Sequence, residues 1–165
     1  MAISQNGYPV LFDIDNTKSW KIPGAQREIR LAQAAPGLVL AHFALWFHEI
    51  IEPLNGGIFD EWGWAVRDIR GSDEWSNHAS GTAMDLNATK HPLGTTARSS
   101  FSLSEIAAIN NRLAFMDNAV RWGGNYSGRQ DPMHFEVNAS TSRVARLADE
   151  LRKTARGQRI IEANR

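Results

Sequence analysis

The chain has no cysteine among its 165 residues, which excludes disulfide bonds, thiolate metal sites and a cysteine nucleophile. Any bound metal must therefore be held by histidine, aspartate or glutamate. No apolar run approaches the roughly 20 residues needed to span a bilayer, and the first ten residues lack the basic and apolar regions of a signal peptide. We expect a protein made in the cytoplasm without membrane insertion, which needs another route if it acts outside.

The rest of the composition is that of a folded protein. Hydrophobic residues make up 42% and charged residues 22%, and six tryptophans favour an aromatic core. The net charge of zero hides an asymmetry, because residues 141–165 carry seven Lys or Arg against three Asp or Glu. We predict one domain over 1–140 and a basic amphipathic tail or linker helix over 141–165. That tail either packs on the domain, leads to a further module or stays solvated.

Two helices are predicted. Residues 36–52 are apolar on most faces, and the Pro-Leu-Asn-Gly-Gly run at 53–57 is typical of a helix terminator. Residues 103–118 carry an apolar stripe at helical spacing. Ser102 and Glu105 form the capping-box pattern that begins such a helix.

Strands are indicated by alternation or by turn signals. The predicted strands are 61–71 with a kink near its middle, 82–87, 119–126 ending in a Gly-Gly turn, and 133–137. Residues 1–23 are predicted to be extended or looped.

The segment "SNHASGTAMDLN" places His78 and Asp85 seven residues apart. Gly81 can turn the chain so that Asp85 returns beside His78. Asp85 points away from Met84 in the predicted strand, and so towards a cleft if Met84 faces the core. The spacing alone leaves two interpretations open: two ligands of one metal, or a turn histidine and a surface carboxylate.

A second histidine lies near a carboxylate in "DPMH", where Pro132 favours extended backbone at Asp131. His78, Asp85 and His134 would make a three-ligand site. Such a zinc site leaves the fourth position to water, as catalytic sites do. Asp131 is then the free carboxylate that can take a proton from that water and pass it to a leaving amine.

The other histidines are assigned simpler roles. His42 and His48 lie in the apolar helix, where packing is expected. The sequence "HEIIE" beginning at His48 is similar to a zinc-peptidase helix, but Glu52 replaces its second histidine. His91 is predicted to be a loop histidine near the site.

The two motifs resemble those of a known family. "SNHASGTAMD" and "DPMHFE" are similar to the Ser-x-His-x-x-Gly-x-Ala-x-Asp and acidic-x-x-His signatures of zinc peptidases. These include D-alanyl-D-alanine carboxypeptidases, vancomycin-resistance dipeptidases, phage L-alanyl-D-glutamate endolysins and, more distantly, Hedgehog. Residues 67–94 and 121–137 look particularly like peptidase domains of actinobacteriophage endolysins. The resemblance covers about residues 36–138.

This resemblance implies roles residue by residue. His78, Asp85 and His134 would be the ligands of one zinc ion, with Asp131 as general base. Many members of the family have glutamate at the position of Asp131, whereas members that resemble the endolysins often have aspartate there.

An arginine on the preceding strand would bind substrate and stabilise the oxyanion. Arg67 is our first choice and Arg70 the second, the alternative being a salt bridge to Asp68 or Asp73. Ser76 would bind a peptide backbone, or else form a turn. Glu136 would orient a ligand histidine by accepting from the ring nitrogen that does not bind the metal, or else remain a solvated strand residue.

The implied fold is α+β, a small antiparallel sheet that carries the ligands and is flanked by helices, as in Hedgehog and the D-Ala-D-Ala peptidases. The implied activity is zinc-dependent hydrolysis of a peptide bond in the stem or cross-link peptide of peptidoglycan, in a phage endolysin that lyses its host.

The alternatives are a bacterial D,D-carboxypeptidase for wall remodelling and a zinc-containing domain that binds wall peptides without catalysis. The expected partners are peptidoglycan peptides and a downstream wall-binding module, with no nucleic acid. We expect a monomer made in the host cytoplasm that reaches the wall after the membrane is permeabilised.

Overall fold

A computed structural model describes residues 1–54 and 58–165. The predicted terminator residues 55–57 lie outside this part. The elements, in chain order, are β1 (Thr17–Ile22), β2 (Arg27–Ala32), α1 (Ala34–Ile50), β3 (Ala83–Asp85), α2 (Ala97–Ser100), α3 (Leu103–Phe115), β4 (Val120–Trp122), β5 (His134–Val137), α4 (Thr141–Arg152) and α5 (Ala155–Ala163). Within the described ranges, no helix has the length and apolar content that crossing a membrane requires.

The central sheet has three antiparallel strands in the order β3-β5-β4. Its register places Asp85 directly opposite His134, and Ala83 opposite Glu136. Because alternate residues of a strand face opposite sides, His134 and Glu136 share one face while Phe135 lies on the other. The predicted α+β class, with a small antiparallel sheet flanked by helices, is confirmed.

The helix α1 forms the middle of the core. Its residues from Gly37 to Phe47 are all buried, as expected for a helix that is apolar on most faces. The ring of Phe43 lies 4.7 Å from that of Phe135, and Phe47 also packs against Phe135. The apolar face of the central sheet is thus covered by α1, which leaves its polar face open for a site.

The helix α3 confirms the predicted capping box. The hydroxyl of Ser102 accepts from the backbone N–H of Glu105, and the Glu105 side chain accepts from the backbone N–H of Ser102. The helix ends at Phe115, earlier than predicted. Asp117 and Asn118 have φ of 55° and 52°, and such left-handed residues terminate a helix.

The strand predicted over 61–71 is wrong. This segment makes only isolated bridges, Trp62 to Asp85 and Asp68 to Trp75. The N–H of Trp64 donates to the carbonyl of Arg30, whereas the next N–H, that of Ala65, donates to the carbonyl of His78. Because successive residues bond to different parts of the chain, no continuous ladder can form.

The lead-in predicted over residues 1–23 contains a strand that was missed. Strands β1 and β2 form an antiparallel hairpin, in which Trp20, Ile22, Ile29 and Leu31 are buried. These residues alternate on either side of a Pro-Gly turn, which is the usual signal of a hairpin. The hairpin packs on α1 and extends the core beyond the central sheet.

The basic tail forms α4 and α5, both of which contact α1. Val144, Ala148, Leu151 and Ile160 are fully or almost fully buried. Of the three arrangements considered for the tail, packing on the domain is the one observed. A domain boundary at residue 140 stays a prediction.

Gly81 offers a test of how tightly the turn between His78 and β3 is packed. It has φ of +66°, and a Cβ there would lie 2.4 Å from the backbone N of Ala32. Gly7 has φ of +87° but open space around it. We expect Gly7→Ala to destabilise by about 1–2 kcal/mol, from left-handed strain alone, and Gly81→Ala by about 1–3 kcal/mol more, from overpacking. Chemical denaturation measures both, and equal losses would contradict the close packing.

Candidate metal centre

Three buried side chains converge on the polar face of the central sheet. Each of His78, Asp85 and His134 offers one ligand atom, and these atoms lie within 4.8 Å of one another. Asp85 lies between the histidines: Oδ2 is 3.4 Å from His78 Nε2, and Oδ1 is 3.0 Å from His134 Nδ1. Two nitrogens and a carboxylate are a donor set that zinc accepts in proteins, so this group could hold a metal ion.

The ring of His78 is oriented by the backbone. Its Nδ1 lies 2.7 Å from the carbonyl oxygen of Gly63, which can only accept, so Nδ1 carries the proton. Nε2 then presents its lone pair towards Asp85. This is how ligating histidines are usually fixed, and it is an independent sign that the site fits a metal. The N–H of His78 donates to Ser76 Oγ at 3.2 Å, which fixes the turn before it.

His134 is held from behind by a carboxylate. Its Nε2 lies 2.9 Å from Glu136 Oε2. Glu136 in turn accepts from the guanidinium of Arg121, from Asn77 Nδ2 at 2.5 Å and from the Tyr126 hydroxyl at 3.0 Å. Because these donors fix Glu136, they also fix the ring of His134 with Nδ1 towards Asp85. The contact expected of an orienting Glu136 is present, although its role stays a prediction.

Charge around the two histidines favours a cation between them. Burial works against the charged form of His134, yet hydrogen bonds and charges from Asp85 and Glu136 raise its pKa to about 10. Burial likewise opposes the ionised form of Asp85, but the hydrogen bond from His134 and its charge keep the pKa of the Asp85 carboxyl well below the ordinary value. These carboxylates thus favour positive charge at the centre, and a metal ion bound there would take the place of the proton on His134 Nδ1.

Asp131 is the carboxylate without a fixed partner. Its Oδ1 is buried and has no hydrogen-bond partner within residues 1–54 and 58–165. Burial raises the pKa of the Asp131 carboxyl, and the charge of Asp85 adds to this. Its backbone is held against Gly123, where a Cβ would lie 2.3 Å from the Asp131 carbonyl oxygen. A positioned but unpaired carboxylate is suited to exchange a proton.

These residues line one cleft of about 340 Å³. It brings together every site residue predicted from the sequence: Arg67, Arg70, Ser76, His78, Asp85, Asp131, His134 and Glu136. It also contains residues that were not predicted: Gln5, Asp68, Ile69, Asn77, Leu93, Tyr126 and Arg129. Asn77 and Tyr126 lie beside the recognised motifs, so motif proximity could have indicated them. No sequence signal points to Gln5, which reaches the cleft from the N-terminal segment.

The two candidate substrate arginines are exposed at the edge of this cleft. Within the described part of the chain, neither Arg67 nor Arg70 forms an ion pair, so the alternative of a salt bridge to Asp68 or Asp73 is not observed. Free guanidinium groups at a cleft can bind carboxylate or carbonyl oxygen.

The remaining histidines lie elsewhere. His91, predicted near the site, is buried with its ring stacked on Phe101 and Nε2 against Glu52, and it does not line the cleft. His48 Nδ1 accepts from the N–H of Leu54. Glu52, which replaces the second histidine in "HEIIE", holds the core histidine His91 and takes no part in the candidate metal centre.

A family model described as D-alanyl-D-alanine carboxypeptidase matches residues 70–137. This range contains the three candidate ligands, Asp131, Glu136, Ser76 and Arg70, but not Arg67. A search of curated proteins and a search of solved structures each found no match. The family match, over about two fifths of the chain, supports a hydrolase of the peptidase class.

Metal binding can be tested at Asp85. We expect one zinc per chain in the wild type, and more than about a hundredfold weaker binding in Asp85→Asn, since even loss of a supporting contact around a ligand costs ten- to a hundredfold. Asp73→Asn is the matched control, because Asp73 is exposed and does not line the cleft. Competition with a zinc-sensitive chelator gives the affinities. Equal affinity in the two variants would contradict the assignment of Asp85 as a ligand.

Proposed function

We propose that this protein is a zinc-dependent peptidase that hydrolyses a peptide bond in the stem or cross-link peptide of peptidoglycan. The observation that carries the proposal is the arrangement of Asp131, a carboxylate with a free buried oxygen, in the same cleft as the His78, Asp85 and His134 group. The family match supports the peptidase class. The resemblance of both motifs to zinc peptidases of the bacterial wall supports the metal and the substrate.

Each side chain has a definite task in this proposal. His78, Asp85 and His134 would hold the zinc ion, and a zinc ion bound there supplies a Lewis acid for carbonyl and water activation. A carboxylate oxygen of Asp131 takes a proton from the attacking water. The same oxygen then donates that proton to the amine nitrogen of the leaving peptide. Burial raises the pKa of this carboxyl, which makes Asp131 a stronger base for the water proton than an ordinary aspartate.

The cleft also has groups for a peptide. Ser76 can hydrogen-bond a substrate backbone. Arg67 or Arg70 would stabilise the negative charge that develops on the carbonyl oxygen, and the other would bind a carboxylate of the stem peptide. Glu136 holds the ring of His134, so it acts through the ligand without contacting the substrate.

The biological setting we favour is host-cell lysis by a phage endolysin. It is supported by the aspartate at position 131 and by the similarity of residues 67–94 and 121–137 to actinobacteriophage endolysins. The enzyme would be made in the host cytoplasm and reach the wall after membrane permeabilisation, as a monomer, with a wall-binding module downstream. The second candidate, a D,D-carboxypeptidase for wall remodelling, is favoured by the description of the matching family.

Mass spectrometry of digested peptidoglycan distinguishes these activities. An endolysin releases internal amino groups and separates stem peptides from each other or from the glycan. A D,D-carboxypeptidase releases only free D-alanine. Binding to peptidoglycan without any released amino group, in zinc-loaded protein, would instead support a non-catalytic binding domain and overturn the proposal.

Asp131→Asn is expected to lower kcat by about 10²–10⁴-fold, the contribution of a general acid-base, while zinc content stays at one per chain. Asp131→Glu keeps the carboxylate and should retain much more activity than Asp131→Asn. Hydrolysis of a defined stem peptide gives kcat, and metal analysis gives zinc content. Wild-type kcat in Asp131→Asn would contradict the role of base.

The pH dependence follows from the same carboxyl. Asp131 must be ionised to accept a proton, and burial raises its pKa above the usual aspartate range. Activity should therefore fall as pH falls through this raised pKa, so the acid limb of kcat/KM lies at higher pH than an ordinary aspartate gives. The limb should be absent from the residual activity of Asp131→Asn. Its persistence there at the same pH would assign it to another group.

The two arginines can be separated by kinetics. If Arg67 stabilises the oxyanion, Arg67→Ala lowers kcat and kcat/KM together by about a hundredfold, whereas Arg70→Ala mainly raises KM. Arg98→Ala is the control, because Arg98 is exposed and does not line the cleft. The reverse pattern would exchange the two roles, and kinetics like those of Arg98→Ala in both variants would remove both from catalysis.

A further inference from the structure

A second cavity of about 380 Å³ lies where α1, α3 and α5 meet. It shares no lining residue with the cleft of the metal centre. We call it the basic cavity; its lining residues are His42, Glu49, Arg112, Phe115, Thr154, Ala155, Arg156 and Arg159. Two of its arginines belong to the basic tail, for which the peptidase chemistry gives no role.

The basic cavity has more cations than anions. Arg156 Nε lies 3.1 Å from Glu49 Oε2, and Arg159 pairs with the other oxygen of the same carboxylate. Glu49 therefore serves two guanidinium groups. Arg112 forms no ion pair in the described part of the chain. Three arginines facing one glutamate leave a formal charge of +2.

His42 is neutral and adds no charge to the basic cavity. The Thr154 hydroxyl donates to the Leu151 carbonyl and accepts from the N–H of Gly157. Its contact with His42 Nε2, at 3.0 Å, is therefore one in which the histidine donates. The other ring nitrogen, Nδ1, accepts from Arg112 at 3.2 Å. Burial and the charge of Arg112 lower the pKa of His42 to about 4, in agreement with a neutral ring.

Within the described ranges, the guanidinium of Arg112 makes one hydrogen bond to the protein, to His42. Its guanidinium lies over the ring of Phe115, 4.5 Å from the centroid, and near that of Trp46. Its Nε is buried without a hydrogen-bond partner in the described ranges. Burial and the charge of Arg156 lower the pKa of Arg112 to about 10, so its positive charge is destabilised. A half-buried cation of this kind is stabilised strongly when an anion pairs with it.

The first turn of α5 adds to the attraction for anions. Ala155 and Arg156 begin this helix of nine residues and line the cavity. The Thr154 side chain caps the N–H of Gly157. The N-terminus of a helix carries a partial positive charge and backbone donors that suit a phosphate.

We propose that the basic cavity binds a phosphate group, held by Arg112, Arg156 and Arg159 at the start of α5. Three guanidinium groups from two helices, with a helix N-terminus, match the several oxygens of a phosphate better than the two of a carboxylate. The phosphate group belongs either to a small phosphate monoester or to a phosphodiester. A monoester presents three terminal oxygens and a diester two, so the monoester matches the three guanidinium groups more fully, and separate probes distinguish the two sources.

Calorimetric titration of the full chain with inorganic phosphate, at constant ionic strength, tests the proposal, with glycerophosphoglycerol as the phosphodiester probe. We expect saturable binding at one site. Arg112→Gln should weaken it about tenfold or more, the effect of losing a charge-assisted hydrogen bond. Glu49→Gln should strengthen it severalfold, because both paired arginines become free for the ligand. Tighter binding of inorganic phosphate would indicate that the ligand is a phosphate monoester. Tighter binding of glycerophosphoglycerol would indicate a phosphodiester.

Arg146→Gln is the matched control, since it removes the same charge from an exposed residue of α4 that does not line the cavity. It should change affinity by less than about twofold, as exposed charges do. An equal loss in Arg146→Gln and Arg112→Gln, or no saturable binding of either probe to the wild type, would overturn the proposal. If Arg112→Gln does not fold, weaker binding in Arg159→Gln and tighter binding in Glu49→Gln support it, and unchanged binding in both overturns it.

Discussion

The pairing of β3 with β5 is the constraint on which the candidate metal centre depends. It sets Asp85 opposite His134 and turns Phe135 towards α1, where the ring packs against Phe43. A slip of one residue would exchange the two faces of β5, burying the charged side chains and exposing Phe135. Apolar packing on one side of the strand therefore determines which side chains reach the cleft on the other.

Carboxylates of the cleft differ in how firmly they are held. Asp85 and Glu136 each contact His134, and their pKa values are lowered. Asp131 keeps an unpartnered oxygen in the described structure, and its pKa is raised. Such separation of environments assigns different chemistry to identical groups. Asp131 therefore stays free to exchange protons, although an extensive hydrogen-bond network surrounds Glu136 in the same cleft.

The features that depend on local pattern can be predicted from the sequence. The alternation in residues 133–137 and the capping box at Ser102 are short-range signals, and the structure has both. The strand predicted over 61–71 is wrong because its apparent alternation has no partner strand: the N–H groups of Trp62, Trp64 and Ala65 donate to Asp85, Arg30 and His78 in turn. Gln5 in the cleft and the cavity around Arg112 arise from contacts between distant parts of the chain, which no spacing rule can reveal.

The register of β5 has a further consequence for the order of folding. His78 and Asp85 lie close in sequence, whereas His134 joins them only after the chain has closed a loop of 49 residues. Such long-range pairing is slow compared with helix or turn formation. During synthesis the first two side chains emerge well before the third, so a complete set of ligands exists only once β5 has been made and paired. Metal capture would then be coupled to a late folding step, and it would stabilise the strand pairing that creates it.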